Sequence, residues 1–340
     1  MRYVLLIALS LAAGGQAQDL QFASLGDFRL ESGQTIRNCK IGYRTFGKLA
    51  ADKSNAILFP TWFTGTTKQL ASLMGPGNVV DTSRYFVIAV DAIGDGDSTS
   101  PSNSREQPRM RFPKFTIRDM VESQHRLVTQ TLHLNHLYAV MGISMGGMQT
   151  FQWAVAYPEF FDKGIPIVGS PRLTAYDLLL WEGELHVIEE DVEWEGGNYK
   201  TPPALKALAD IHTLALTTPE YQVAQTPPAK FDAYLKGVEN SGPDRFDAND
   251  WHRQLEAMIA NDVSAPYGGS IEEAASRVKA KLLVIVSAQD HMVNPAPARN
   301  FAQLIHAGVV ELTGPCGHLA NGCEKDKVVQ AVSEFLGSAP

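Results

Sequence analysis

The sequence has no block of lysines and arginines and no basic stripe, and its formal net charge is −8. This removes the electrostatic reason to expect a nucleic acid or an anionic membrane as partner. Beyond the N-terminal residues no segment is long and apolar enough to cross a bilayer. H-E-x-x-H, a C-x-x-C pair and a Walker motif are all absent. Gly75-Pro76-Gly77 and Gly94-Asp95-Gly96 are turn signals and do not form a dinucleotide fingerprint. Asp91, Asp95 and Asp97 crowd together, but the distal bidentate glutamate of a calcium loop is missing. No resident metal or cofactor is expected.

Cysteine is scarce, with three in 340 residues, and what they do depends on the compartment. Arg2 forms a short positive region. Tyr3 to Ala13 is apolar apart from Ser10, and Gly15-Gln16-Ala17 follows with small residues. Residues 1–17 therefore read as a cleaved signal peptide, too short to span a bilayer stably. The expected location is secreted or periplasmic, with no membrane attachment after cleavage. No cysteine at the cleavage point supports a lipoprotein anchor. In an oxidising compartment two cysteines can pair. Cys316 and Cys323 lie closest and flank a histidine, which leaves Cys39 over, although spacing alone does not fix the pairing.

What is present is an alternation of two periods. Short apolar runs at Ala56–Phe59, Tyr85–Val90, Leu137–Met141, Ile165–Val168, Leu282–Val286 and Val309–Leu312 suit strands buried on both faces of a parallel sheet. Between them lie helical patterns. Thr116 and Asp119 form a capping box, followed by apolar residues at helical spacing to Leu132. A second helix runs from Met145 to Ala156 and stops near Pro158. Gln21 to Gly47 reads as a leading β-pair. The pattern predicts an α/β fold with a mostly parallel central sheet and helices on both faces.

Residues 171–266 break the rhythm. They hold no evident buried strand, but carry Trp181, Trp194, Tyr199, Tyr221, Trp251 and two Pro-Pro breaks, with a helical pattern from Leu205 to Leu216. This segment is expected to be a helical cap inserted between two parts of the core, 18–170 and 267–340. Its aromatics are expected mainly to form the cap's own core, with some lining a pocket.

Gly142-Ile143-Ser144-Met145-Gly146 is the strongest short signal. It matches G-x-S-x-G, with a buried strand before it and a helix after it. A turn that tight needs small residues beside the nucleophile. It holds the Ser144 hydroxyl at the tip, next to the N–H groups of a helix N-terminus. A serine hydroxyl is a weak nucleophile and needs a base within hydrogen-bond reach. In this arrangement the partners follow in the order serine, acid, histidine. Asp290 stands just past the apolar run 282–286, and His318 follows the next run in Gly314-Pro315-Cys316-Gly317-His318. Of the nine histidines this one fits best. The expected catalytic set is Ser144, Asp290 and His318. The oxyanion donors are expected to be the backbone N–H groups of Met145 and Phe63, the latter in the loop after the first core strand.

Several longer blocks accompany these residues: Asn55-Ala56-Ile57-Leu58, Gly75-Pro76-Gly77 with Asp81-Thr82, Arg84 to Ile88, Phe115 to Val121, and Ser144 to Gln149. In these blocks the chain resembles the homoserine O-acetyltransferase family of α/β-hydrolase-fold enzymes, from about Ile41 to Ser170 and again from near Lys279. The resemblance implies the α/β-hydrolase fold and an acyl-enzyme on Ser144. It implies the same triad and oxyanion donors, acyl-CoA as the co-substrate of a transferase, and a homodimer formed through the cap. The chain departs from the family where an aspartate usually follows the triad histidine, since Leu319 and Ala320 stand there, and where Thr61 replaces a usual histidine. With a signal peptide, water is the abundant acyl acceptor. Ester hydrolysis of a small acyl ester is therefore the leading expectation. The alternatives are acyl-CoA-dependent O-acyl transfer and a non-catalytic binding protein on the same fold.

Overall fold

Eight strands among the described residues form one sheet in the order β1-β2-β4-β3-β5-β6-β7-β8. The computed structural model describes residues 19–240 and 246–338; the expected signal peptide lies outside them. β1 (Gln21–Arg29) and β2 (Thr35–Phe46) pair antiparallel, and β2 pairs antiparallel with β4 (Phe86–Val90). The remaining strands run parallel: β3 (Ala56–Pro60), β5 (Leu137–Ile143), β6 (Phe161–Ile167), β7 (Lys281–Ser287) and β8 (Gly308–Leu312). The central strands read as unbroken apolar runs because successive side chains point to opposite faces and both faces are covered. Leu58, Ile88 and Val140 pack into one layer and Ile57, Val87 and Ala139 into the other. β8 closes one edge and is largely exposed.

The helices supply both layers. α1 (Thr67–Leu70) gives Leu70 to one core; α2 (Ile117–Arg126) and α3 (Met145–Ala156) give Met120, Val121 and Phe151 to the other. The capping box at α2 forms as its sequence implies: Thr116 Oγ1 accepts from Asp119 N–H at 3.1 Å, and Asp119 Oδ2 accepts from Thr116 N–H at 2.9 Å. The helical pattern continues to Leu132, but as one wider π turn over Leu127–Thr131.

Between β6 and β7 the chain is helical: α4 (Ala175–Glu189), α5 (Lys206–Leu216), α6 (Pro219–Gln225), α7 (Phe231–Glu239), α8 (Ala248–Ile259) and α9 (Ile271–Arg277). An isolated Arg172–Asp262 bridge is the β pairing found there among the described residues. α10 (Ala296–Leu304), α11 (Ala320–Cys323) and α12 (Lys325–Gly337) complete the chain. α8 ties the excursion to the sheet's rim. Arg253 Nε donates to Phe112 O at 3.0 Å, and Gln254 Nε2 donates to Ile93 O at 3.2 Å.

The other strands extend the apolar runs by one or two residues, and β4 and β6 differ from them for identifiable reasons. β4 starts at Phe86, because Tyr85 N–H still closes a turn onto Asp81 O. β6 starts at Phe161, four residues early, and takes in Asp162 and Lys163. Lys163 is fully buried, with Nζ donating to the carbonyls of Phe335, Leu336 and Ser338 at the end of α12. A lysine with three such acceptors can occupy a core strand; the run of apolar letters alone conceals that. β6 ends at Ile167, and Val168 turns away with φ 42°.

Candidate active site

β5 delivers the chain to Ser144, and α3 takes it away. Ser144 itself sits at φ 57°, ψ −119°, a conformation that costs a residue with a Cβ about 1–3 kcal/mol. The glycines around it have no room for more. A Cβ on Gly142 would lie 2.3 Å from Gly146 O, and one on Gly146 would lie 2.7 Å from Pro60 O. The turn is therefore held from two sides, by its own helix and by the end of β3.

Three distant stretches converge there. His318 Nε2 lies 2.8 Å from Ser144 Oγ, and His318 Nδ1 lies 2.7 Å from Asp290 Oδ2. Asp290 Oδ1 accepts the N–H groups of Met292 and Val293, both at 2.9 Å. One carboxylate oxygen is thus fixed by backbone and the other is aimed at the imidazole. All three side chains are buried. The loop carrying His318 is closed by a Cys316–Cys323 disulfide, while Cys39 is a buried free thiol pushed up to about 12 by its burial.

The two oxyanion candidates flank this centre. Met145 is the first residue of α3, where a backbone N–H has no acceptor within the helix. Phe63 lies in the loop after β3, and its N–H makes no hydrogen bond among the described residues. Its neighbours are committed: Thr64 N–H donates to Gln254 Oε1 at 3.1 Å and Gly65 N–H to Trp62 O at 2.9 Å. Thr61 is structural, its Oγ1 accepting Ala92 N–H at 3.0 Å.

Ser144 and His318 open on a cavity of about 350 Å³. Its walls are largely apolar: Trp62, Phe63, Trp181, Leu216, Met292 and Leu319. α4 and α5 of the helical excursion contribute Trp181 and Leu216, so the insertion roofs the site. Of its other expected aromatics, Trp251 meets the Phe63 ring edge-on at 4.8 Å. Trp194 stacks on His252 at 5.3 Å, and Tyr199 Oη donates to Asp247 at 2.6 Å; both are internal to the cap. Tyr221 does not line the cavity and packs on the second core. Sequence reasoning assigns no role to His212 on α5, yet its ring lines the cavity. Nothing marked it: a polar letter in a helical pattern is usually an outward face.

The acidic cluster after β4 is engaged locally. Asp91 accepts from the backbone and hydroxyl of Thr67, at 2.6 and 2.8 Å. Asp95 Oδ1 accepts from Asp97 and Ser98 N–H. Burial raises both carboxyls, Asp91 to about 6. Behind them Asp250 on α8 accepts from Ser102 N–H at 2.8 Å and is pushed up to about 8 by burial.

A strand, a strained serine, a helix, and then an acid and a histidine just past the ends of the last two strands, β7 and β8, form one arrangement. Residues 57–322 match the model of the alpha/beta hydrolase fold. The chain belongs to the α/β-hydrolase fold family, among its homoserine O-acetyltransferase-like members. It is 31% identical to a homoserine O-acetyltransferase of Methanococcoides burtonii, over 92% of this chain and 72% of that protein. It is also 32% identical to an ethyl acetate hydrolase of Pseudomonas veronii, over 79% of this chain and 80% of that one. Among solved structures it is similar to the acetyl esterase MekB. That likeness has a TM-score of 0.89 at 29% identity and covers 94% of this chain and 97% of the other. Relatives of this α/β-hydrolase-fold enzyme thus carry both hydrolytic and acetyl-transferring names.

Proposed function

We propose that this chain is an exported serine esterase that hydrolyses small acyl esters through an acyl group on Ser144. The observation that carries the reading is the unbroken hydrogen-bonded path Asp290–His318–Ser144, opening on an apolar cavity walled by Leu319. Ser144 Oγ attacks the ester carbonyl while His318 Nε2 takes its proton. The tetrahedral oxyanion is met by the N–H groups of Met145 and Phe63. Collapse breaks the bond to the alcohol, which leaves with the proton from His318. Water, deprotonated by the same nitrogen, then releases the acid and restores Ser144. Asp290 holds the imidazole in the tautomer with the proton on Nδ1 and stabilises the imidazolium.

The cavity volume is near the low end for small-molecule sites, which supports short acyl chains. The ethyl acetate hydrolase and acetyl esterase relatives point the same way. Leu319 supports water over an amino-acid acceptor, because an alkyl wall offers nothing to an ammonium group. Export is supported by the N-terminal pattern and by a disulfide, which persists in oxidising compartments; fractionation of the producing cell tests it.

The deciding experiment is an acetate ester panel run beside acetyl-CoA plus homoserine, with Ser144→Ala as control. Net ester hydrolysis and fluorophosphonate labelling, both lost in Ser144→Ala, are expected. Efficient O-acetylhomoserine formation without net hydrolysis overturns the esterase reading in favour of the acyltransferase, which the relative of M. burtonii represents. Well-folded protein that resists labelling overturns both in favour of a binding protein.

A further inference from the structure

The mechanism above leaves one ionisable side chain of the cavity wall, and the buried acid behind it, unused. His212 on α5 lines the same cavity as Ser144 and His318. Its Nδ1 lies 3.0 Å from Oε1 of Glu184 on α4. Glu184 is 2% exposed, and His212 is its one ion-pairing partner among the described residues. The other carboxylate oxygen, Oε2, is buried with no partner among them. A buried carboxylate held by a single side-chain partner is costly, and natural cores seldom keep one without use.

The imidazole is also fixed in place. Its ring packs 5.9 Å from Phe63 and edge-on to Trp251 at 5.0 Å, so both its plane and its tilt are set. A carboxylate only accepts, so Nδ1 carries the proton between them. Nε2 is then the polar atom that His212 can offer, and it has no partner among the described residues. Around it the cavity is mostly tryptophan, phenylalanine and aliphatic carbon.

We propose that His212, oriented by Glu184, is a specificity-determining residue that hydrogen-bonds a hydroxyl group of the substrate, so that the preferred esters carry a second, free hydroxyl. This rests on the esterase reading. A hydroxyl suits Nε2 in either protonation state of the ring, because it donates to the neutral imidazole and accepts from the imidazolium. A simple alkyl ester leaves Nε2 facing carbon and unpaired, and an unmade buried hydrogen bond costs more than a made one gains. Discrimination should therefore appear between isosteric esters that differ only by methyl and hydroxyl.

Two such pairs read it out. The alcohol-side pair is 2-hydroxyethyl acetate against propyl acetate; the acyl-side pair is ethyl 3-hydroxypropanoate against ethyl butanoate. The wild-type enzyme is expected to favour the hydroxylated member of one pair about tenfold in kcat/KM, and that pair locates the hydroxyl. In His212→Leu the ratio should fall to near one, and His212→Gln, which keeps an acceptor and a donor at that reach, should restore part of it. Fluorophosphonate labelling of Ser144 in each variant reports that the centre is intact. A role confined to packing would change both members of a pair alike. Wild-type ratios near one in both pairs, or a preference that survives in His212→Leu, overturn the proposal while leaving the esterase reading standing. If wild-type protein hydrolyses none of the four esters, the esterase reading fails and this inference falls with it.

Discussion

Replacing Asp290 by asparagine should reverse the polarity of the proton path without changing its shape. Asp290 Oδ1 accepts two backbone N–H groups, from Met292 and Val293, at 2.9 Å. Those donors do not move with the substitution, so they require the amide oxygen of asparagine on their side. The amide NH2 is then turned to the position of Oδ2, 2.7 Å from His318 Nδ1. Two donors cannot face each other, so Nδ1 must surrender its proton and become the acceptor. The proton then sits on Nε2, 2.8 Å from Ser144 Oγ, where a base is needed and a donor is useless. Loss of the correct tautomer in a serine triad costs on the order of 10⁴ in kcat, equivalent to roughly 5.5 kcal/mol. The assay is steady-state hydrolysis of p-nitrophenyl acetate at neutral pH, with circular dichroism and the thermal midpoint as checks on the fold. Stability should change little, since the two backbone donors stay satisfied. An Asp290→Asn enzyme that keeps more than a tenth of the wild-type kcat would refute the tautomer argument and, with it, the role given to Asp290.

Three other outcomes follow from separate features. Replacing both Cys316 and Cys323 by alanine opens a loop closed by cysteines seven apart, and should cost about 2.5 kcal/mol in the chain-entropy view; an unchanged urea midpoint would contradict it, and kcat should fall as His318 loses its brace. Asp250 keeps its proton to about pH 8 in the folded chain against 3.8 as the ordinary value, so between these limits the folded state binds more protons and Asp250 makes stability fall as pH rises. Asp250→Asn should therefore gain on wild type from pH 5 to 8 in urea unfolding, and parallel curves would sink this reading. Leu319→Asp puts a charge on the cavity wall, and should lower kcat/KM for propyl acetate about tenfold while raising the ratio of acetyl transfer to homoserine over hydrolysis; no change in either quantity would show that Leu319 does not face the bound alcohol.

The parts of the molecule that were legible in the sequence are those where one physical requirement dictates residue type. The central strands must be apolar on both faces, and the elbow must be glycine where a Cβ would strike Gly146 O or Pro60 O. Ser144, Asp290 and His318 were legible because each follows the carboxyl end of a recognisable strand. β6 was half hidden because Lys163 is buried by acceptors that come from α12, some 170 residues away. His212 and Glu184 were wholly hidden. They lie on different helices of the insertion, in segments without a strand to fix their register, and neither letter carries a pattern. Their meaning comes only from packing, when α4 and α5 meet above the serine.

That division has a physical cause in how the site is built. The reacting atoms hang from the sheet, where Ser144 is held in a costly backbone conformation by contacts on both sides of its turn. Such a centre tolerates little change, because every neighbour is already at van der Waals distance. The roof is a set of helices that shares a core layer with the sheet through Trp181, Trp251 and Leu255 and is bonded to the rim by side chains, such as Gln254 Nε2 to Ile93 O and Arg253 Nε to Phe112 O. Its residues Trp181, His212 and Leu216 face the cavity and not the strained turn, so they can vary without unmaking the nucleophile. On the proposed function, acceptor and ester selection therefore belong to the roof and to the short loop at Leu319, while the acyl-transfer chemistry belongs to the sheet. On this view hydrolysis and acetyl transfer differ by what the cavity wall offers the second substrate, and a few wall substitutions should shift the ratio between them without disturbing the path from Asp290 to Ser144.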